Sequence, residues 1–304
     1  MKKFIICSLL FSSPLIVLML VIEHFAIQVP NSYKYKYDYI KKYGNRIEVL
    51  AIGHSQLYDG FNAKLCDFPS FNLCNSSQTY RDNYYLLKEL LMYMPKLKTV
   101  IIPIGYMNVI PEGKNDLTYD VLRSRYYYEY MHIDYDGDLP FSYRYEALNL
   151  KNAIEKISTY YLKHKDIIGC DSLGMRCSHL LKSRVKPLGY EKLIEHYTCK
   201  VDNKFEIGQE EYLLNTINIL RNKRIAIVLV SPPYYWNYTQ EYNKKQKLYS
   251  DNFISELCKK YPEIKHLNFE TDTSFVECDF FNETHLSEFG AEKMTKKINE
   301  LLNN

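Results

Sequence analysis

Two short segments at opposite ends of the chain carry residues that could act together as a nucleophile and a general base. In the first, residues 48–57, an apolar run stops at Gly-His-Ser, of which Ser55 is the last residue. The second, residues 279–291, contains His285. A histidine within hydrogen-bond reach of a serine hydroxyl can take its proton and so activate it. The pair predicts Ser55 as a nucleophile and His285 as its base.

The elements around these two residues place both at one edge of a sheet. Residues 47–52 are typical of a buried strand that ends just before Ser55, and residues 287–302 of a last helix that begins just after His285. Open α/β sheets bind their ligands outside the carboxyl ends of the strands. Taken alone, each residue has a structural alternative: Ser55 could cap the next helix, and His285 could be an ordinary polar loop residue.

Strand and helix patterns alternate along the chain. Buried strands are predicted at residues 47–52, 71–73, 97–104, 224–230 and 266–269. Helices are predicted at residues 33–43, 81–94, 148–163, 188–196, 209–220, 240–260 and 287–302. This alternation is typical of a parallel sheet with helices on both faces. We expect one α/β domain at residues 47–304, with an irregular insertion at about 106–206 and a linker and lead-in helix at 26–46 before it.

The N-terminal segment predicts a membrane helix. Residues 4–22 contain no charged side chain, and as a helix they would span about 28 Å, enough to cross a bilayer. Lys2 and Lys3 precede them, which favours an N-terminus in the cytoplasm and a translocated domain. We expect an uncleaved signal anchor at residues 1–25. The alternative is a signal peptide that is removed.

Composition excludes some classes of function. The formal net charge of +3 gives no electrostatic footprint for nucleic acid. No Cys-x-x-Cys pair or Cys/His cluster occurs among the 8 cysteines, so neither a metal nor a cofactor is predicted. The spacings Cys66/Cys74 and Cys170/Cys177 would allow local disulfides in an oxidising compartment, but sequence leaves the connectivity open.

The two chemical segments resemble the first and last blocks of the GDSL/SGNH hydrolase superfamily. The closer likeness is to a membrane-anchored cell-envelope branch related to the D-alanyl-lipoteichoic acid biosynthesis protein. It is carried by Gly53-His54-Ser55 with Gly60-Phe61, and by His285-Leu286 with Gly290-Ala291. The resemblance extends over about residues 32–302. It implies a three-layer open parallel sheet, SGNH- or flavodoxin-like, behind an N-terminal transmembrane helix.

The resemblance assigns further residues to the site, with one departure. The superfamily carries an Asp three residues before its histidine, and this position is Asn282 here. An asparagine can hold the imidazole tautomer but cannot stabilise imidazolium by charge. Three interpretations follow: Asn282 orients a dyad, Asp279 supplies the carboxylate instead, or the site is weak or inactive. We expect the first, because Asn282 preserves the spacing from His285.

The oxyanion donors implied by the resemblance come from three places. The backbone N–H of Ser55 is the first. In the family a glycine of an Asn-x-x-x-x-Gly block supplies the second, and Ser77 occupies that position here. An asparagine of a Gly-x-Asn block supplies the third. Asn108 is the corresponding residue, one position late.

The resemblance implies a membrane-anchored serine esterase or O-acyltransferase that acts on acyl esters of an envelope or extracellular polysaccharide through an acyl-serine intermediate. Its partners would be an acylated glycan or acyl donor and a membrane-bound acyltransferase. The chain would cross the bacterial inner (cytoplasmic) membrane once, with its domain on the periplasmic or extracytoplasmic side. The alternative is a catalytically inactive SGNH-like protein that binds glycan or assists polysaccharide assembly, which Asn282, Ser77 and Asn108 favour. A cytoplasmic α/β protein with a chance apolar N-terminus is a third interpretation.

Overall fold

The computed structural model describes residues 2–107, 117–137, 144–165, 167–177 and 209–303. The chain divides into two compact units. One comprises Met1–Tyr37 and Asp116–Gly169, and the other comprises Asp38–Asn115 and Cys170–Asn304. The domain boundaries drawn from the sequence stay a prediction, and the helix predicted at residues 188–196 lies outside the described residues.

The second unit contains a five-stranded parallel sheet. Its strands are β1 (Val49–Ala51), β2 (Ser70–Asn72), β3 (Thr99–Pro103), β4 (Ala226–Ser231) and β5 (Lys265–Asn268). Their order across the sheet is β2-β1-β3-β4-β5, and every neighbouring pair is parallel. This is the flavodoxin-like order, in which the direction of winding reverses between β1 and β3. The predicted open parallel α/β sheet is confirmed.

The helices follow the predicted rhythm with a few differences. They are α1 (Lys2–Gln28), α2 (Ser32–Tyr43), α3 (Ser55–Gly60), α4 (Tyr80–Leu90), α5 (Leu117–Met131), α6 (Leu150–Ile157), α7 (Gln209–Asn222), α8 (Trp236–Gln240), α9 (Lys244–Lys260) and α10 (Glu288–Leu302). The helix predicted at 240–260 begins at Lys244 instead, because the Asn243 side chain accepts the N–H groups of Lys245 and Gln246 and so caps α9. Helices α5 and α8 were not predicted, since the many tyrosines of α5 show no apolar stripe and α8 has only 5 residues.

The core of the second unit packs against the sheet near the end of β1. Leu57 and Phe61, at the end of α3, join Met294 and Ile298 of α10 in one buried apolar cluster. Burying such side chains stabilises the fold by about 1.5–3 kcal/mol each. Cys66, Cys74, Cys170 and Cys177 are not joined in disulfides, so neither disulfide suggested by their spacing is present.

The first unit contains the apolar N-terminal helix. Within α1, Leu10–Gln28 is apolar enough and long enough to cross a membrane, and it is the one such helix in the part of the chain that the structure describes. A membrane anchor and a signal sequence both fit this observation. The Glu23 carboxylate near the end of α1 accepts the backbone N–H groups of Glu146 at 3.3 Å and Ala147 at 2.7 Å.

A short antiparallel hairpin precedes the last helix. Its strands are β6 (Phe280–Asn282) and β7 (His285–Leu286). No strand was predicted here, because strands of two or three residues show no periodicity. Ser287 then caps α10 by accepting the N–H of Gly290 at 3.4 Å, as predicted.

Candidate active site

Ser55 lies where the chain turns out of β1 into α3. Gly53 makes this turn with φ +147°, and a Cβ built on it would lie 2.3 Å from Cδ of Pro103 on β3. Only glycine fits this close approach. His54 then caps α3, because its Nδ1 accepts the N–H of Gln56 at 3.3 Å. Ser55 is therefore the first residue of α3, half-buried at the carboxyl edge of the sheet.

The β6–β7 hairpin brings His285 to Ser55. Nε2 of the imidazole lies 2.8 Å from the Ser55 hydroxyl oxygen, so the contact predicted from sequence is present. The Gln56 side chain donates to the carbonyl oxygen of Thr284 at 3.1 Å, which ties the hairpin turn to α3. Both members of the pair are half-buried.

Hydrogen bonds around Asn282 fix the tautomer of His285. The Asn282 side-chain oxygen accepts the backbone N–H groups of Thr284 at 3.0 Å and His285 at 2.9 Å. These two donors identify that atom as the oxygen, and it also lies 3.0 Å from Nδ1 of His285. The Thr284 hydroxyl also lies 2.9 Å from Nδ1, and it donates its proton to the Asn282 oxygen at 3.2 Å. Because the carbonyl oxygen only accepts, and this hydroxyl can accept from the ring, Nδ1 carries the proton and Nε2 accepts the Ser55 hydroxyl. Asn282 therefore orients the imidazole as a triad acid does, without the charge.

Asp279, the other candidate acid, is engaged elsewhere. Its buried carboxylate accepts the backbone N–H of Val276 at 2.8 Å and forms an ion pair with Lys293 of α10. These contacts fix the turn before β6 to the last helix. Of the two residues considered from the sequence as partners of the imidazole, the structure thus brings Asn282, and not Asp279, into hydrogen-bond contact with His285.

The structure describes two of the three proposed oxyanion donors, Ser55 and Ser77. Asn75 donates its N–H to the carbonyl oxygen of Gly53 at 3.0 Å, which holds the loop containing Ser77 against the turn before Ser55. Ser77 is exposed and has φ +52°, in the left-handed region that favours the glycine found there in the resembled family. The N–H of Ser55 is at the first helical position, where the helix itself does not use it. Asn108 lies outside the described residues.

Sequence reasoning missed two charged residues at this site. Asp59 is fully buried on α3, and its Oδ2 lies 4.0 Å from Nε2 of His285. Its Oδ1 lies 2.9 Å from Nε of Arg176. The four-residue spacing of Ser55 and Asp59 within one helix could have indicated Asp59. Arg176 has no such local signal, because only the fold brings it to α3.

A second serine–histidine pair lies at the ends of β4 and β5. The Ser231 hydroxyl is 2.9 Å from Nε2 of His266, beside a cavity of about 440 Å³. Ser231 is only 1% exposed, whereas Ser55 is half-buried. Burial also lowers the pKa of His266 and so disfavours its charged form. Ser55 is accordingly the better candidate for a nucleophile.

Solved structures similar to this chain include two bacterial proteins. No protein-family model and no curated protein matches this sequence. A Streptococcus pneumonia protein provisionally named a platelet activating factor is 13% identical, with a TM-score of 0.43 over 96% of this chain and 98% of that one. A Bacteroides fragilis protein provisionally named an acylhydrolase is 8% identical, with a TM-score of 0.39 over 92% of this chain and 93% of that one.

Proposed function

We propose that this protein is a serine esterase or acyltransferase of the SGNH type, with Ser55 as nucleophile and His285 as general base. The observation that carries the proposal is the 2.8 Å contact between Nε2 of His285 and the Ser55 hydroxyl, in a ring whose tautomer Asn282 fixes. In that tautomer the lone pair of Nε2 points at the proton it must remove. The resemblance to the first and last SGNH blocks supports the same assignment.

The geometry suits acyl transfer in two half-reactions. Ser55 Oγ attacks the carbonyl carbon of an ester while its proton passes to Nε2 of His285. The carbonyl π electrons move onto oxygen, where the N–H of Ser55 can meet the developing charge. Collapse of the intermediate breaks the bond to the alcohol oxygen, which receives the proton from Nε2 and leaves acyl-Ser55. Water or a sugar hydroxyl then gives its proton to Nε2 and attacks the acyl carbon. Collapse of this second intermediate breaks the bond to Ser55 Oγ, which takes the proton back from Nε2.

For the substrate we propose an acyl ester of an envelope or extracellular polysaccharide. Trp236, the single tryptophan of the chain, is 60% exposed. The residue before it, Tyr235, donates its backbone N–H to the carbonyl oxygen of Glu283 at 2.9 Å. The start of α8, which carries the indole, is therefore hydrogen-bonded to the turn before His285. A sugar ring can stack on such an exposed aromatic face.

The cellular setting of the proposal is the bacterial inner (cytoplasmic) membrane. Helix α1 would anchor the chain as a single pass, with the sheet-containing unit on the periplasmic or extracytoplasmic side. In this setting a membrane-bound acyltransferase is the proposed partner, since acyl groups must cross the bilayer before they reach a glycan. The acyl donor or the acylated glycan itself would enter from the same side.

One observation favours a second candidate function. The residue that orients His285 is an asparagine, so the site lacks the usual carboxylate at this position. A glycan-binding or polysaccharide-assembly protein that has lost catalysis would retain the same fold. The experiment below separates the two.

Labelling with a fluorophosphonate serine probe tests the proposal on the full-length protein in detergent. We expect the probe to label the wild type at Ser55, and Ser55→Ala to abolish labelling. His285→Gln should slow labelling by two or more orders of magnitude, since general-base catalysis contributes about 10²–10⁴. Ser231→Ala is the matched control, because it removes a second serine that contacts a histidine, and it should label normally. A wild type that stays unlabelled would support the binding protein instead.

A further inference from the structure

A buried ion pair lies beside the imidazole of His285. Asp59 follows Ser55 by four residues in α3, so both side chains project from one face of the helix. The Asp59 carboxylate is fully buried, with Oδ2 4.0 Å from Nε2 of His285 and Oδ1 2.9 Å from Nε of Arg176. One carboxylate oxygen thus faces the histidine and the other faces the arginine.

Arg176 is itself held firmly at this place. Its backbone N–H donates to the carbonyl oxygen of Tyr58 at 3.1 Å, and its guanidinium lies 4.7 Å from the centroid of the Tyr58 ring. Nη2 donates to the hydroxyl oxygen of Ser76 at 2.7 Å. Burial favours the neutral form of a carboxylic acid, whereas a paired guanidinium favours the carboxylate. The ion pair with Arg176 therefore favours the carboxylate form of Asp59 next to the histidine.

The Asp59 carboxylate lies next to the ring on which catalysis creates a positive charge. When Nε2 receives the Ser55 proton, the ring becomes an imidazolium whose positive charge is shared by both nitrogens, and Oδ2 of Asp59 lies 4.0 Å from one of them. An opposite charge within about 4–6 Å favours a charged group. We propose that Asp59, fixed by Arg176, is a positioning residue that supplies the negative charge missing at Asn282 and stabilises protonated His285. The inference rests on the proposed esterase function, because it assigns a role within the same site.

Other charged groups surround the hairpin that carries His285. Glu283 belongs to the histidine's own turn and is buried. Lys293 of α10 is neutralised by its ion pair with Asp279. Asp59 on α3, with Arg176 behind it, places its carboxylate 4.0 Å from the reacting nitrogen. The test therefore removes this ion pair and leaves the other charges in place.

The experiment measures the titration midpoint of the His285 ring by NMR. The sample is full-length, histidine-labelled protein in detergent, and the signal of His285 is identified by its absence in His285→Gln. Asp59→Asn alone would leave the half-buried guanidinium of Arg176 without its partner and could unfold the chain. The double variant Asp59→Asn/Arg176→Gln removes both charges and keeps hydrogen-bonding groups. We expect it to lower the midpoint by about one pH unit or more. Asp82→Asn, which removes a buried carboxylate that caps α4, is the control and should leave the midpoint unchanged.

Fluorophosphonate labelling of the same samples separates this inference from the proposed function. We expect the double variant to label Ser55 at least tenfold more slowly, with the acidic limb of its rate displaced to lower pH. A normally labelled double variant with an unchanged midpoint would overturn the role of Asp59 while leaving the esterase proposal intact. A wild type that is not labelled would overturn the proposed function and, with it, any catalytic use of Asp59, whatever the midpoint.

Discussion

At the residue scale, the orientation of His285 and the stabilisation of its charge come from different side chains. Asn282 fixes the tautomer through its oxygen, and Asp59 places a carboxylate beside the opposite ring nitrogen. The contact between Ser55 and His285 could be predicted, because a strand end and a helix start both lie at the carboxyl edge of the sheet. The part played by Asp279 could not, because its ion pair with Lys293 depends on how α10 packs.

The first prediction concerns Asn282. Asn282→Asp should raise kcat/KM for p-nitrophenyl acetate about tenfold, because a carboxylate at Nδ1 would stabilise the imidazolium. The gain should stay far below the roughly 10⁴ that separates Asp from Asn in a serine-protease triad, since Asp59 already supplies negative charge.

Asp279→Ala is the matched control for that measurement. It should lower the melting temperature, because the turn before β6 loses its link to α10, while kcat/KM per folded molecule stays the same. A drop of orders of magnitude in Asp279→Ala, with no gain in Asn282→Asp, would show that Asp279 supplies the charge.

At the element scale, the long apolar runs were predictable and the short irregular pieces were not. Strands β1, β3 and β4 are buried runs bounded by turn residues, and the structure has them within about two residues of the predicted bounds. The β6–β7 hairpin carries no periodic signal, yet its turn sets the position of His285. Long-range packing, which no local pattern encodes, determines that part of the site.

The second prediction concerns Glu129 of α5. Burial, reinforced by the carboxylates of Glu23 and Glu146, raises the pKa of Glu129 to about 8. An acid whose pKa is higher in the folded than in the unfolded chain binds more protons when folded. The free energy of unfolding therefore falls as pH rises from about 4.5 to about 8. Glu129→Gln should melt a few degrees above the wild type at about pH 8.5, and the difference should vanish near pH 5.

Thermal unfolding by circular dichroism at the two pH values checks this. Glu155→Gln, which changes an exposed glutamate on α6, is the control and should match the wild type at both. The same difference at both pH values would contradict a titrating Glu129.

At the scale of the whole molecule, the chain joins an apolar helix to an α/β unit with a candidate acyl-transfer site. The apolar helix was predictable because an uncharged stretch of bilayer length is a strong local signal. The grouping of Asp116–Gly169 with the N-terminal helices was not predictable, since it depends on contacts far apart in sequence. For the same reason the sequence could not predict that Asn282 contacts Nδ1 of His285 while the carboxylate of Asp59 lies near Nε2.

The third prediction concerns the anchor. In a bacterial host the full-length chain should stay in the membrane pellet after carbonate washing, because α1 would remain attached and span the bilayer. Protease added to spheroplasts should digest the residues beyond about 30. A shortened protein in the soluble fraction would show that α1 is a cleaved signal, and protection from protease would place the domain in the cytoplasm.

The most direct test of the account is to trap the acyl-enzyme. Full-length protein is mixed with p-nitrophenyl acetate, quenched in acid, and examined by intact-mass and peptide mass spectrometry. We expect one acetyl group per chain, located on Ser55, with a burst of p-nitrophenol that Ser55→Ala abolishes and Ser231→Ala preserves. No acetylation of Ser55, or acetylation that persists on another serine in Ser55→Ala with an unchanged burst, would contradict the assignment of Ser55 as the nucleophile.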